Sequence, residues 1–173
     1  STGSIGRQAL DIVRSNPDKY NIKYLVAKNN VELLIQQTKE FNPDYVCIAN
    51  QDKYKVLKNN IVLDNILSGH IGTLEICSLK DIDIALNAIT GFDGLEPTIA
   101  IIKSGTNIAL ANKESIVSAC EIIMKLVDEY NVTLFPVDSE HSALWQCLKG
   151  ESLKNVKNLI LTASGGPFRN LDI

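Results

Sequence analysis

The chain has 173 residues, of which 45% are hydrophobic and 21% charged, with a formal net charge of −3. That is ordinary for a globular chain that buries a substantial core as one domain, or as one domain and the start of another. No basic run offers nucleic acid an electrostatic footprint, no apolar run approaches the roughly 20 residues that span a bilayer, and no Cys-x-x-Cys pair suggests a zinc site.

Strand-like and helix-like segments alternate from the start. Ser1-Thr-Gly-Ser-Ile-Gly6 is a glycine-rich turn, and Gln8–Arg14 carries apolar residues at helical spacing before Asn16-Pro17 ends it. Residues 22–27 read as a strand, 31–38 as a helix, 44–49 as a strand and 52–59 as a short helix. Between 60 and 80 the pattern is mixed, with Ile61-Val-Leu63 a candidate strand and His70–Cys77 a candidate helix. A strand over 82–89 runs into Thr90-Gly91, followed by a helix over 95–103 and a strand over 107–111. The longest helix spans 115–130, then come a strand over 132–137, a helix over 139–148 and a last strand over 156–163. Cys47, Cys77, Cys120 and Cys147 stand apart in apolar contexts and read as reduced core thiols. Residue 1 falls inside a glycine turn with no Met before it, and the final residues follow a strand with no closing element. The expectation is a fragment cut at both ends.

Strands alternating with helices of about ten residues imply βαβ units and a Rossmann-like, doubly wound, mostly parallel sheet. Ligands bind such sheets outside the carboxyl ends of the strands. Ala27–Asn30, Thr90-Gly91, Asn112–Glu114, Asp138–Glu140 and Ser164–Gly166 all follow expected strands, so they are expected to share one rim. Composition alone marks only a faint break near Asn155.

Three of these turns carry chemistry. Gly3 and Gly6 at the start of a helix let backbone N–H groups approach a pyrophosphate, although two glycines also fit a simple helix cap. An NAD site usually presents an acid to the ribose about 20 residues later. Here the chain has Lys28-Asn29-Asn30, and a cation with amides favours a 2′-phosphate, hence NADP(H). Asp138-Ser139-Glu140 sets two carboxylates at a strand-to-helix turn, where they suit Mg²⁺ or Mn²⁺, and the same residues also suit helix capping. Lys113 opposes the dipole of the helix it opens, which an anionic or carbonyl-bearing ligand explains better than stability does. His141 is a possible acid–base group beside carboxylates, a position where His is more often structural. His70 and Trp145 are assigned to packing or the surface.

Together the segments S-T-G-S-I-G at 1–6, L-A-N-K-E-S at 110–115, P-V-D-S-E-H at 136–141 and S-G-G-P-F at 164–168 resemble the 1-deoxy-D-xylulose 5-phosphate reductoisomerase family. The likeness runs in order through essentially the whole chain. It implies that residues 1–138 form an NADPH-binding domain and that 139–173 begin an α/β catalytic domain truncated at its C-terminus. By this resemblance Thr2, Gly3, Ser4 and Ile5 bind NADPH, with Lys28, Asn29 and Asn30 around its 2′-phosphate and Asn112 and Glu114 facing the cofactor. Many family members have Gly-Lys-Asn where this chain has Lys28-Asn29-Asn30. Lys113, Asp138 and Glu140 are the implied catalytic residues. Asp138 and Glu140 ligate Mg²⁺ or Mn²⁺, with Co²⁺ as a further option, and Lys113, Ser139, Glu140 and Ser164 hold the substrate.

The implied reaction rearranges 1-deoxy-D-xylulose 5-phosphate and reduces the product to 2-C-methyl-D-erythritol 4-phosphate, in the non-mevalonate route to isoprene units. The family's third metal carboxylate, its catalytic-loop histidine and its phosphate-gripping serine, asparagine and lysine fall beyond Ile173, so the fragment alone is expected to be inactive. The full-length protein is expected to be a homodimer, in bacterial cytoplasm or a plastid-type organelle, with a phosphorylated sugar as its partner and neither nucleic acid nor membrane. Two alternatives differ in chemistry. Another NADP-linked α/β reductase needs a Cys or His facing the nicotinamide, and no cysteine follows a strand in a suitable turn. A non-catalytic nucleotide-binding module binds NADPH without turnover.

Overall fold

The computed structural model describes residues 1–162. The chain alternates as helix α1 (Ser4–Ser15), strand β1 (Tyr24–Ala27), α2 (Val31–Phe41), β2 (Tyr45–Ile48), α3 (Tyr54–Asn60), β3 (Ile66–Ser68) and α4 (Gly69–Cys77). It continues as β4 (Ile84–Asn87), α5 (Leu95–Lys103), β5 (Asn107–Leu110), α6 (Lys113–Glu129), β6 (Leu134–Pro136) and α7 (Ser139–Leu148). The strands form two three-stranded sheets, ordered β1-β2-β3 and β4-β5-β6, and every pairing is parallel. This is the expected parallel α/β architecture, drawn as two ladders.

Each sheet has its own core. In the first, Leu10 of α1, Val31 and Leu34 of α2 and Leu57 of α3 close over Leu25, Val46 and Ile48. The central strand β2 is buried along Val46-Cys47-Ile48, the continuous apolar run that a strand covered on both faces requires. In the second, Ile101 and Ile102 of α5 and Ile123 and Val127 of α6 pack on Ile108 and Leu110. Each fully buried Leu or Ile contributes about 1.5–3 kcal/mol relative to exposure. Helix α4 joins the halves, contacting both β2 and α5. Lys23, just before β1, lies 4.0 Å from Asp81, just before β4, and binds Asp44 at 2.6 Å.

Several expectations are corrected. Ile61–Leu63 is not a strand: Ile61 turns inward to close the first core, and the third strand forms later, at Ile66–Ser68, in register with Val46–Ile48. Residues 156–162 are not a strand either. A strand needs a neighbour for its backbone groups, and none of the described strands pairs with them; Leu159, Ile160 and Leu161 are exposed. Ala163 lies outside the described residues. Helix α1 begins at Ser4 and α6 at Lys113, earlier than the apolar periodicity indicates, because their first turns are polar. Cys120 and Cys147 are exposed on helix surfaces, so only Cys47 and Cys77 are core-type thiols. Burial pushes the Cys77 thiol up to about 12. His70 is a surface residue paired with Glu96 at 2.7 Å, and Trp145 lies edge-on to Phe135 with centroids 6.3 Å apart.

Candidate active site

The glycine turn rests on the end of β1. The Ser1 nitrogen donates to the Val26 carbonyl at 2.5 Å, and the Gln37 amide reaches the Ser1 carbonyl at 3.3 Å. Gly6 makes this approach possible, since a Cβ there would sit 2.6 Å from the Ser1 carbonyl oxygen. Gly3, the N-cap of α1, offers no side-chain cap, and the first turn has no acid. The leading amides of α1 therefore keep the positive end of the helix dipole without a side-chain partner. A Cβ on Gly3 would meet nothing within 4 Å, so the space above the turn is open. Thr2 and Ile5 are half-buried in this turn and Ser4 is exposed.

Lys28, Asn29 and Asn30 follow β1 and are all exposed. Asn30 caps α2 by accepting from the Leu33 amide at 3.0 Å, and the Asn29 side-chain oxygen accepts from Asn50 at 3.1 Å. Lys28 crosses to the other half of the molecule, its Nζ 2.8 Å from Oδ2 of Asp93 in the 3₁₀ turn after β4. That hydrogen bond holds the Asp93 carboxyl below its usual range.

The next turn along the rim is braced by Asn112, which is 2% exposed. Its amide donates to the carbonyls of Ile89 at 2.5 Å and Gly91 at 2.8 Å, while its oxygen accepts from the Ser115 amide at 2.8 Å and from the Ser115 hydroxyl. Gly94 makes room for it: a Cβ at that position would lie 2.7 Å from the Asn112 amide. Asn87 completes the brace, donating to the Gly94 carbonyl at 3.0 Å and to Thr98 at 2.8 Å. Asn112 thus spends its whole side chain on the protein, and Glu114 is exposed in the first turn of α6.

Lys113 reaches from the start of α6 to the start of α7, with Nζ 3.1 Å from Oδ2 of Asp138. The other oxygen of Asp138 faces His141, whose Nδ1 is 2.8 Å away, and Asp138 also caps α7. The Asp138 side chain is only 12% exposed. Burial works to raise its pKa, but the hydrogen bonds from Lys113 and His141 outweigh burial and hold it at about 2. Asp138 in turn raises the pKa of Lys113. Glu140 is half-buried and accepts from the Ser139 hydroxyl at 2.7 Å. Beside it lies an open hollow of about 370 Å³ between α7 and residues 160–162, walled by Ala143, Leu144 and Cys147.

The structure therefore brings Lys113, Asp138, Ser139 and Glu140 together at neighbouring helix starts, and it links them by contacts to the Lys28 turn. Among the described residues no three His, Cys, Asp or Glu side chains gather closely enough to hold a metal ion. Ser164 lies outside the described residues. Sequence reasoning missed Asp93, Gly94 and Asn87. Their one signal was position, since all three flank the Thr90-Gly91 turn at the end of β4.

The family model for 1-deoxy-D-xylulose 5-phosphate reductoisomerase matches residues 1–120, and that for its C-terminal domain matches 134–173. The reductoisomerase of Caldanaerobacter subterraneus subsp. tengcongensis is 51% identical over 172 residues, covering 98% of this chain. That of Protochlamydia amoebophila is 46% identical over 169 residues, also covering 98%. The chain spans only 44% of the length of each. The solved reductoisomerase from Zymomonas mobilis, in complex with NADPH, superposes with a TM-score of 0.88 at 39% identity, covering 98% of this chain and 45% of that one. A reductoisomerase solved in complex with magnesium gives 0.89 at 37% identity, covering 99% and 46%. With family models matched along most of its length, this chain belongs to the 1-deoxy-D-xylulose 5-phosphate reductoisomerase family.

Proposed function

We propose that the full-length protein converts 1-deoxy-D-xylulose 5-phosphate to 2-C-methyl-D-erythritol 4-phosphate, using NADPH and a divalent metal, as a step towards isoprenoid precursors. One observation carries this: an unbroken series of contacts along the strand ends, from the glycine turn on Val26, through Lys28 to Asp93, through Asn112 to Gly91, and from Lys113 to Asp138. A nucleotide-type turn and a carboxylate pair on one rim suit an enzyme that joins hydride transfer to metal-assisted rearrangement.

The residues fit both groups. The uncapped amides of α1, with open space above Gly3, suit a pyrophosphate, and exposed Lys28 suits a 2′-phosphate with Asn29 and Asn30 beside it. Asp138 and Glu140 are hard oxygen donors fit for Mg²⁺ or Mn²⁺, and the ligands needed to complete the shell belong to the remainder of the full-length protein. When bound, the metal polarises the substrate's carbonyl and hydroxyl oxygens and the nicotinamide supplies hydride. The protein's own share is positioning and charge. Lys113 brings a fixed positive charge to the place where an oxyanion develops, and His141 holds the Asp138 carboxylate in orientation. Ser139 and Ser164 are the hydroxyls assigned to the substrate. Asn112 acts through the loop it clamps, so its contact with cofactor falls to its main chain, and Glu114 faces the cofactor from the same turn.

In this reading residues 1–138 are the nucleotide domain and 139–173 begin the catalytic domain. The partner is a phosphorylated sugar, and the full-length protein acts as a homodimer in bacterial cytoplasm or a plastid-type organelle. No described helix is long and apolar enough to cross a membrane. The test is to mix the full-length protein with 1-deoxy-D-xylulose 5-phosphate, NADPH and Mn²⁺. NADPH should be consumed, and a chelator should stop it. Consumption that survives the chelator points instead to a metal-free reductase, and binding without consumption to a nucleotide-binding module.

A further inference from the structure

We propose that Asp93 sets how strongly this protein prefers a 2′-phosphorylated dinucleotide, by competing with the ligand's phosphate for Lys28. The proposal rests on the assignment of Lys28 to the 2′-phosphate made above. Lys28 carries one positive charge, and Asp93 takes it at 2.8 Å. The amides that follow cannot substitute for it. Asn30 is committed to capping α2 and Asn29 to Asn50, and neither is charged. Neutralising Lys28 thus removes the one cation of this three-residue turn.

The carboxylate is delivered by a braced turn, not by a loose loop. Gly91, at φ +71°, adopts a left-handed conformation that favours glycine, and Asn112 ties down the carbonyls of Ile89 and Gly91 on either side of the bend. Gly94, immediately after Asp93, is locked against the Asn112 amide and by bonds from Asn87 and Thr98. Asp93 therefore stays opposite the end of β1. Nearby His70 has its own carboxylate in Glu96, 2.7 Å away.

A 2′-phosphate arriving at Lys28 must displace Asp93 or share the ammonium with it, and in either case remain near its negative charge. A dinucleotide without that phosphate bears neither cost. Both partners of the pair are more than two-thirds exposed, 69% and 68%, so water screens the contest and the effect is modest, about two- to fivefold in affinity.

The test measures NADPH and NADH dissociation constants by nicotinamide fluorescence on full-length wild-type protein, Asp93→Asn, Lys28→Gln and the double variant. Asp93→Asn should tighten NADPH about two- to fivefold, leave NADH unchanged, and lose its effect when Lys28→Gln is also present. If Lys28→Gln weakens NADPH but Asp93→Asn leaves it unchanged or weaker, the role of Asp93 is overturned while the cofactor assignment stands. A gain from Asp93→Asn that persists without Lys28 also overturns it. If Lys28→Gln leaves the NADPH-to-NADH preference unaltered, the assignment of Lys28 falls and the proposal with it.

Discussion

Helices α1 and α7 both begin at the rim where strands end, yet they treat their first turns in opposite ways. At α1, Gly3 contributes no cap and no acid follows, so the leading amides keep their positive field for whatever sits above them. At α7, Asp138 caps its own helix, and the same carboxylate gathers Lys113 and His141 around it. One turn offers donors and the other offers ionised oxygen. The capping residue thus decides whether the leading amides of a helix stay without a side-chain partner, as with Gly3, or are met by a carboxylate, as with Asp138.

The largest break in this comparison comes from removing the charge at Asp138 while keeping its cap. Asp138→Asn retains a good N-cap residue, so the fold should survive nearly unchanged. Mn²⁺ binding by the full-length protein, read by calorimetry, should weaken sharply, and turnover should fall about 10²–10³-fold, typical for losing one preorganised electrostatic group. NADPH affinity should barely move. Equal loss of both affinities would mean that Asp138 serves the fold alone.

A smaller effect is expected at the glycine end, where two residues three apart should behave differently. Gly6→Ala drives a methyl into the Ser1 backbone and should cost about 1–3 kcal/mol in a urea melt, weakening NADPH binding as the turn is displaced. Gly3→Ala points its methyl into open space and should leave stability within about 1 kcal/mol. If the two melts coincide, the close packing of the turn on Ser1 is not what positions it.

The smallest effect is in the acid limb. Asp138 titrates at about 2 in the fold, below the ordinary 3.8. Its lowered pKa adds stability that is fully present above about pH 4 and is lost as pH falls through about 2. The stability gap between wild type and Asp138→Asn should therefore be constant from pH 7 to pH 5 and close between pH 4 and pH 2. A gap as wide at pH 2 as at pH 5 would show that the contacts of the ionised carboxylate with Lys113 and His141 are not its source.

Much of this was legible in the chain before any coordinates. Helix α5 over 95–103 and strand β5 beginning at Asn107 were readable because apolar periodicity and burial agree there. The glycine turn and the Asp138 turn were visible because Gly, Asp and Ser mark helix starts in the sequence, although capping alone would place the same residues there. Where periodicity lacked a partner it misled, as at 61–63 and 156–162, since an apolar run records the wish to be covered and not what covers it. The candidate site divides in the same way. Asp138 and Lys113 are 25 positions apart but follow adjacent parallel strands, so their meeting could be anticipated from topology.

The sequence by itself determined the alternation of elements, the residues at each strand end and the chemical type of each turn, because these depend on local spacing and composition. Only the tertiary structure decided that Lys28 faces Asp93, that Asn112 is a buried clamp whose side chain is spent on the protein, and that Gly94 must be small. Those three facts concern residues that meet across 65, 21 and 18 positions of chain. The first is set by how the two sheets are placed and the other two by how the turns after the paired strands β4 and β5 pack on each other, and no local pattern encodes either.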